Sequence, residues 1–374
     1  MPLNPVPPGA YVAEAPVGHS PIANLPTSIT AFLGSTKKGP VHVPQRVRAV
    51  SDFENLFGEI EPEARLGQAV RQFFLNGGVD AWVVRVAKSA SSSQVAKALR
   101  SLDSLETLSL LALPAVAAPA ILALASEYCR GRRALLLIDA PSKARTAAEI
   151  QKIVQTIPPA ARSHVAVYFP WVRLPDPLNF GETLLTPPSG SIAGVLARLD
   201  AKRGVWKPPA GREATLLGIQ RLDYVPTDVE NQAMNTAGIN CLRVFVGIEA
   251  AIWGARTLAG ADLNGSEFKY IPVRRLVSHV EECVVRGLQW ACFEPNDQAL
   301  WTTVRESVEQ FLMELTRQGA LAGSTPSEGF FVKCDATTMT PGDIRDGRLV
   351  VLIGLACLRP AEFVLLNLVL KAQA

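Results

Sequence analysis

The sequence has no Cys-x-x-Cys pair, no His-Glu-x-x-His signature, no Gly-x-Ser-x-Gly elbow and no basic run longer than two residues. Each absence removes a class of protein. The six cysteines (Cys129, Cys241, Cys283, Cys292, Cys334 and Cys357) are scattered too widely for a zinc site or a small disulfide scaffold, so reduced, mostly buried thiols are expected. Basic residues come at most in pairs, such as Lys37-Lys38 and Arg132-Arg133, and the formal net charge is only +3. A nucleic-acid binder gathers its cations on one face or in runs, so no nucleic-acid partner is expected. Of the four histidines, only His279 has acids close by, Glu281 and Glu282, and neither stands three or four residues away, where two ligands share a helix face. No metal or other cofactor is expected.

Two segments imitate functional motifs. Gly34-Ser-Thr-Lys-Lys-Gly39 follows an apolar run and has the glycine spacing of a phosphate loop. Pro40 and Val41 stand where Lys and Ser or Thr are required, and Pro40 lacks a backbone donor, so a plain turn is expected. Residues 108–125 carry no charge and reach the length of a membrane span, but Pro114 and Pro119 interrupt them. A buried strand, a turn and an amphipathic helix are expected there, with no direct membrane insertion. Residues 1–9 hold four prolines and no apolar core segment, so no secretory leader is expected.

What is present is a foldable balance: 374 residues, 48% apolar and 19% charged, enough for two cores. Ile29–Leu33, Ala81–Val86, Leu108–Leu113, Ala134–Asp139 and Val165–Phe169 read as strands. Arg65–Asn76, Ala120–Cys129 and Ala147–Ile157 read as intervening helices. That alternation predicts a largely parallel, helix-covered sheet. Asp139 ends one of these strands, where α/β active sites often lie, but a lone carboxylate there reads as a cap or turn residue. The prolines of 170–190 suggest a linker. Beyond it, helices are expected at 273–292 and 298–318, and strands at 330–334, 349–358 and 363–370. The fold class is therefore α/β with an α+β inner domain: an extended arm at 1–22, an outer domain at 23–185 with the parallel sheet, an inner mixed sheet-plus-helix domain at 186–358, and a terminal arm at 359–374.

Helix 298–318 places Leu300, Trp301, Val304, Val308, Phe311, Leu312 and Leu315 on one arc, expected to pack on the inner sheet. Thr302, Glu306, Gln310, Met313 and Arg317 form the opposite face, and a methionine in a charged stripe suits contact with another chain. The two ends read as strands too apolar for free tails: Val6, Tyr11, Val12, Ala13 and Glu14 in one, Phe363, Val364, Leu365, Leu366 and Leu368 in the other. A lone strand leaves its backbone polar groups unpaired, so both ends are expected to complete a neighbour's sheet.

Short phrases in a fixed order then carry a resemblance. Pro8-Gly9-Ala10-Tyr11-Val12, Thr27 to Gly34 and Gly39-Pro40 open the series. Leu56-Phe57-Gly58 and Ala69 to Gly78 continue it. Gly204 to Gly211, Gly238-Ile239-Asn240, Trp253 to Leu258, Val273 to Leu276, Phe293 to Asn296, Phe331 to Asp335 and Pro360 to Val364 complete it. Together they resemble contractile phage tail sheath proteins, of the compact kind found in R-type pyocins and extracellular injection systems. The resemblance implies a non-enzymatic subunit that stacks as hexameric rings around an inner tube and contracts from a metastable extended state. Its implied partners are copies of itself, the tube protein, and baseplate and terminator or cap proteins. It further implies assembly in the bacterial cytoplasm, strand exchange by both arms, and a tube-facing inner helix, assigned here to 298–318. One departure is the final strand, Leu365 to Lys371, where the family commonly ends on a basic residue followed by a short polar tail. The readings set against the sheath are an α/β nucleotide-dependent enzyme and a single-ring tail or baseplate adaptor.

Overall fold

The structure, a computed structural model, describes residues 21–371 except 177, 246, 262–264, 324 and 358–362. In chain order the first elements are β1 (Thr30–Gly34), β2 (Gln45–Val47), α1 (Val50–Phe57), α2 (Arg65–Leu75), β3 (Ala81–Arg85), α3 (Ser92–Ser101), β4 (Leu110–Ala112), α4 (Pro119–Gly131), β5 (Leu135–Asp139), α5 (Ala147–Val154) and β6 (Val165–Phe169). Then come β7 (Val172–Pro175), β8 (Thr183–Thr186), α6 (Ser189–Arg203), β9 (Arg221–Leu222), α7 (Asp228–Thr236), β10 (Ile239–Phe245) and β11 (Ile248–Ile252). The last group is α8 (Ile271–Gly287), α9 (Gln298–Arg317), α10 (Pro326–Gly329), β12 (Phe330–Lys333), α11 (Pro341–Arg345), β13 (Arg348–Ala356) and β14 (Phe363–Lys371).

The central strands are apolar along their length because both faces are covered. Along β5, Leu136 and Ile138 enter one core and Leu135 and Leu137 the other. Along β6, Val165, Val167 and Phe169 alternate with Ala166 and Tyr168 in the same way. Helices α3, α4 and α5 cover the first face, and α1, α2 and α6 the second. The resulting eight-stranded sheet has the order β11-β10-β6-β5-β4-β1-β3-β2. Six strands are parallel, and antiparallel β11 and β2 form the edges, as expected when crossovers run through helices. The uncharged run 108–125 divides into β4, a turn and α4; no helix among the described residues is long and apolar enough to cross a membrane.

Two features revise the expected boundaries. The stretch 170–190 is no plain linker: β7 pairs antiparallel with both β8 and β9 in a second, three-stranded sheet. Strands β10 and β11, expected in the inner domain, join the large sheet. Strand β10 pairs parallel with β6, and α6 lies on α2. That helix contact is close because two glycines four apart face it. A Cβ at Gly190 would sit 2.2 Å from the Ala69 carbonyl oxygen, and one at Gly194 2.4 Å from that of Phe73. Helix α6, buried from Ser189 through Ala197, has no polar stripe along that stretch to mark a helical period.

The remaining core is built from α8, α9 and the sheet β12-β13-β14. Strand β13 alternates, with Leu349, Val351, Ile353 and Leu355 buried against the helices. The predicted arc of α9, from Leu300 to Leu315, is its buried face, and Asp297 caps the helix by accepting from Leu300 N at 3.0 Å. Ile22 belongs to this core as well, and Leu25 packs against it. The chain therefore begins its described course on the small unit before entering the large one, and the expected outer domain does not start at residue 23.

Candidate functional site: the junction of the two cores and the terminal strand

The segment from Ile22 to Thr27 runs along α8 and ties the units together. A Cβ at Gly287 would meet Ile22 at 2.7 Å, so the small residue makes room for the strap. Leu25 N donates to Cys283 Sγ at 3.5 Å, and His279 Nε2 lies 2.7 Å from Asn24 Oδ1. One turn further, Arg275 donates to both carboxylate oxygens of Asp200 at the end of α6, at 2.9 and 2.6 Å. It also donates to the Thr27 carbonyl at 2.9 Å, while Thr27 Oγ1 donates to Asp200 at 2.7 Å. The Arg275 and Asp200 side chains are 5% and 6% exposed. A buried fork of this kind holds because each charge is paired and hydrogen-bonded.

A second, wetter contact flanks the first. Arg133, between α4 and β5, has φ +55 and reaches Glu281 at 3.2 Å and Glu282 at 3.4 Å. Arg274 also meets Glu281 at 3.4 Å, and Arg286 meets Glu282 at 2.7 Å. A left-handed non-glycine residue costs about 1 kcal/mol or more, so this turn is held by its surroundings. The acids beside His279 are ion-pair partners on α8. Burial, and then Arg275, push His279 down to about 4; burial, and then Arg274, push His164 down to about 3. Both stay neutral near pH 7. Burial raises the Cys283 thiol to about 11, so Cys283 and His279, 3.7 Å apart, are no activated pair.

The segments that imitate reactive motifs are engaged in structure. The carboxylate of Asp139 accepts from Ser189 N and Oγ at 2.8 Å each and from Ala115 N at 3.1 Å. It satisfies the amino end of α6, which fills the carboxyl end of the sheet. Burial lifts it to about 6 against the pull of those hydrogen bonds. In the glycine loop, Arg85 binds the carbonyls of Gly39 at 2.7 Å and Lys37 at 3.2 Å. Those carbonyls point at a cation, the reverse of a loop whose amides cradle phosphate. No group of three or more metal-ligating side chains occurs among the described residues.

The proposed contact residues divide as follows. On α9, Glu306, Gln310 and Arg317 are exposed, and Thr302 is half-buried. Met313 is not the free apolar residue expected: it packs partly against the small core, and Arg317 approaches its sulfur at 3.6 Å. Strand β14, carrying Phe363, Val364, Leu365, Leu366 and Leu368, pairs antiparallel with β13 of the same chain from Ala356↔Phe363 to Arg348↔Lys371. Val6, Tyr11, Val12, Ala13 and Glu14 lie outside the described residues.

The fold and this junction define an α/β protein with a large sheet covered on both faces and a smaller sheet-and-helix unit, fastened to each other by charged residues. Two family models match it in tandem, the phage tail sheath protein central domain over residues 92–258 and the phage tail sheath C-terminal domain over 264–371. The sheath complex of PVC, an extracellular contractile injection system in its contracted state, is 30% identical with a TM-score of 0.78, covering 96% of each chain. The contracted helical sheath of the anti-feeding prophage is 29% identical with a TM-score of 0.77, covering 97% of this chain and 99% of that one. The tail sheath protein of Vibrio phage KVP40 is 27% identical over 185 residues, 49% of this chain and 26% of the phage protein. The matches to curated relatives span 26–44% of those relatives' lengths. The chain belongs to the contractile phage tail sheath family.

Proposed function

We propose that this chain is the repeating structural subunit of a contractile sheath, stacking as hexameric rings around an inner tube and shortening from a metastable extended state to drive that tube through a target envelope. The observation that carries the reading is the likeness to sheath copies along nearly the whole chain. No catalytic role is assigned, since the groups that imitate a site are engaged in packing. Its partners are further copies, the tube protein, and baseplate and terminator proteins, within a particle assembled in the bacterial cytoplasm. The α9 face of Thr302, Glu306, Gln310, Met313 and Arg317 is assigned to the tube.

Both chain ends are assigned to neighbouring copies. Strand β14 can leave its own β13 and occupy the same nine-residue register on another copy. Every backbone pair is conserved in such an exchange, so it costs little and links copies head to tail. Residues 1–16 are assigned the same role. A second reading, a single ring at the baseplate, has support from the similar anti-feeding prophage baseplate structure (28% identity, TM-score 0.75). Negative-stain microscopy of the purified chain with and without residues 361–374, and with and without residues 1–16, tests the assignment. Hollow cylinders from the full chain and folded monomers from each truncation are expected. Isolated rings from the full chain favour the baseplate reading, and normal cylinders from a truncation end the exchange assignment for that arm.

A further inference from the structure

The turn between α8 and α9 holds a phenylalanine out in solvent. Phe293 is 85% exposed, although the turn that carries it is fixed. Ala291 is buried, and its carbonyl accepts from Glu294 N at 3.3 Å; Asp297 N donates to the Pro295 carbonyl at 2.9 Å. Asn296 Oδ1 accepts from Trp301 Nε1 at 2.7 Å, and Asn296 Nδ2 donates to the Arg348 carbonyl at 3.1 Å. Glu294 and Asp297, both exposed, follow the ring in the same turn, and neither is in an ion pair among the described residues. A single exposed phenylalanine means little by itself. A counterpart at the other end of α9 gives this one a role.

That counterpart is a groove of about 630 Å³ between the end of α6 and the strap. Pro26, Val79, Val205 and Trp206 give it apolar walls, and the exposed cations Lys202 and Arg203 line it with them. Val79 is 70% exposed. Trp206 is held in place: it packs against the small core, and a Cβ at Gly204, with φ +86, would sit 2.3 Å from its indole. The charges of the rim do not cancel. Asp200 is already paired with Arg275. Arg203 and Lys207 share Glu213, at 2.6 and 3.6 Å, and Lys202 has no ion pair among the described residues. Gln318, which caps the end of α9, also lines the groove. Groove and phenylalanine therefore lie at opposite ends of a 20-residue helix, about 30 Å apart at 1.5 Å per residue, so Phe293 does not reach the groove of its own chain.

We propose that Phe293 of one copy seats in the groove of the next, its ring between Val79 and Trp206, with Glu294 and Asp297 toward Lys202 and Arg203. An aromatic anchor in an apolar recess, with opposite charge at the rim, is the arrangement that selects a partner and fixes register. Surfaces that are complementary, unlike each other and set at opposite ends of one helix make a heterologous contact, which repeats from copy to copy in a ring or an open helix. The occupant is a second copy of this chain, and the inference rests on the sheath reading above.

The test uses the full chain, with folding checked by circular dichroism and assembly by pelleting and microscopy. Phe293→Ser removes the anchor and Val79→Arg blocks the groove, and both positions are exposed enough to leave the monomer fold intact. Each should lower the assembled fraction on the order of tenfold, the effect of losing one interface anchor. The two together should do no more damage than either alone, because they remove the same contact. Glu294→Lys and Lys202→Glu should each weaken assembly by a smaller factor, and the two combined should restore most of it. Cylinders of ordinary yield from Phe293→Ser or from Val79→Arg overturn the contact while leaving the sheath reading intact. So do losses that multiply when those two are combined, and a charge exchange that stays as defective as its parents. A wild-type chain that forms no assembly overturns the sheath reading and this contact with it.

Discussion

The eight-stranded sheet closes its edges within the chain, whereas the three-stranded sheet of the small core ends on a long strand. At one edge of the large sheet, residues 211–216 lie along β11: Gly211 N donates to Ile252 O, Ile252 N to Ala214 O and Leu216 N to Ala250 O, at 2.7–3.0 Å. The other edge is β2, three residues long and carrying Arg46. Short, covered or charged edges discourage further strand addition. The small sheet ends on nine-residue β14, joined to the rest through 357–362 and paired along one side among the described residues. One unit is complete by itself; the other is assembled from both ends of the chain, since the Ile22 strap and β14 border the same helix, α8. The junction between them then decides whether the chain behaves as one body.

The strongest way to break that comparison is at the buried fork. Asp200→Ala leaves Arg275 unpaired in the interior and should lower stability by about 3–5 kcal/mol in urea titrations. Arg133→Ala, at a partly exposed pair, should cost about 1 kcal/mol or less. Similar losses for the two would show that the buried fork is not what joins the cores.

A smaller effect is expected inside the large unit. Gly190→Ala drives a methyl into the Ala69 carbonyl, so α6 must move off α2, at about 1–3 kcal/mol. Thermal melts should show this loss, while hydrogen exchange in β12 and β13 stays unchanged. Exchange that speeds up equally in the small sheet would argue against two separable cores.

The smallest effect sharpens the strap. His279 is held below its ordinary value of 6.5, at about 4. The unfolded chain therefore binds its proton first, and the stabilisation that neutral His279 contributes is present above pH 6.5 and lost as pH falls toward 4. His164, also held down by burial, acts in the same sense, and Asp139, raised to about 6, in the opposite one, so the whole-protein slope combines all three. His279→Gln should flatten the loss of stability between pH 6.5 and 4.5 relative to wild type. Parallel curves would mean that burial beneath the strap does not hold the ring neutral.

Period and punctuation in the sequence determined most elements: the apolar runs that became β1, β3, β5 and β6, the arc of α9 that became its buried face, and the proline and valine that spoil the glycine loop. They also carried the family resemblance, because those signals are local. The partition of the chain was not local. Proline at 170–190 looked like a boundary, yet β10 returns to pair with β6 some seventy residues later. Helix α6 has no amphipathic stripe, because α2 and the sheet bury it on every side. Asp200 and Arg275 stand 75 residues apart, with nothing in the sequence to link them. Only the tertiary structure brought them together, because the stability of a buried ion pair depends on the desolvation and geometry that packing imposes, and neither is encoded in the spacing of residues along a chain.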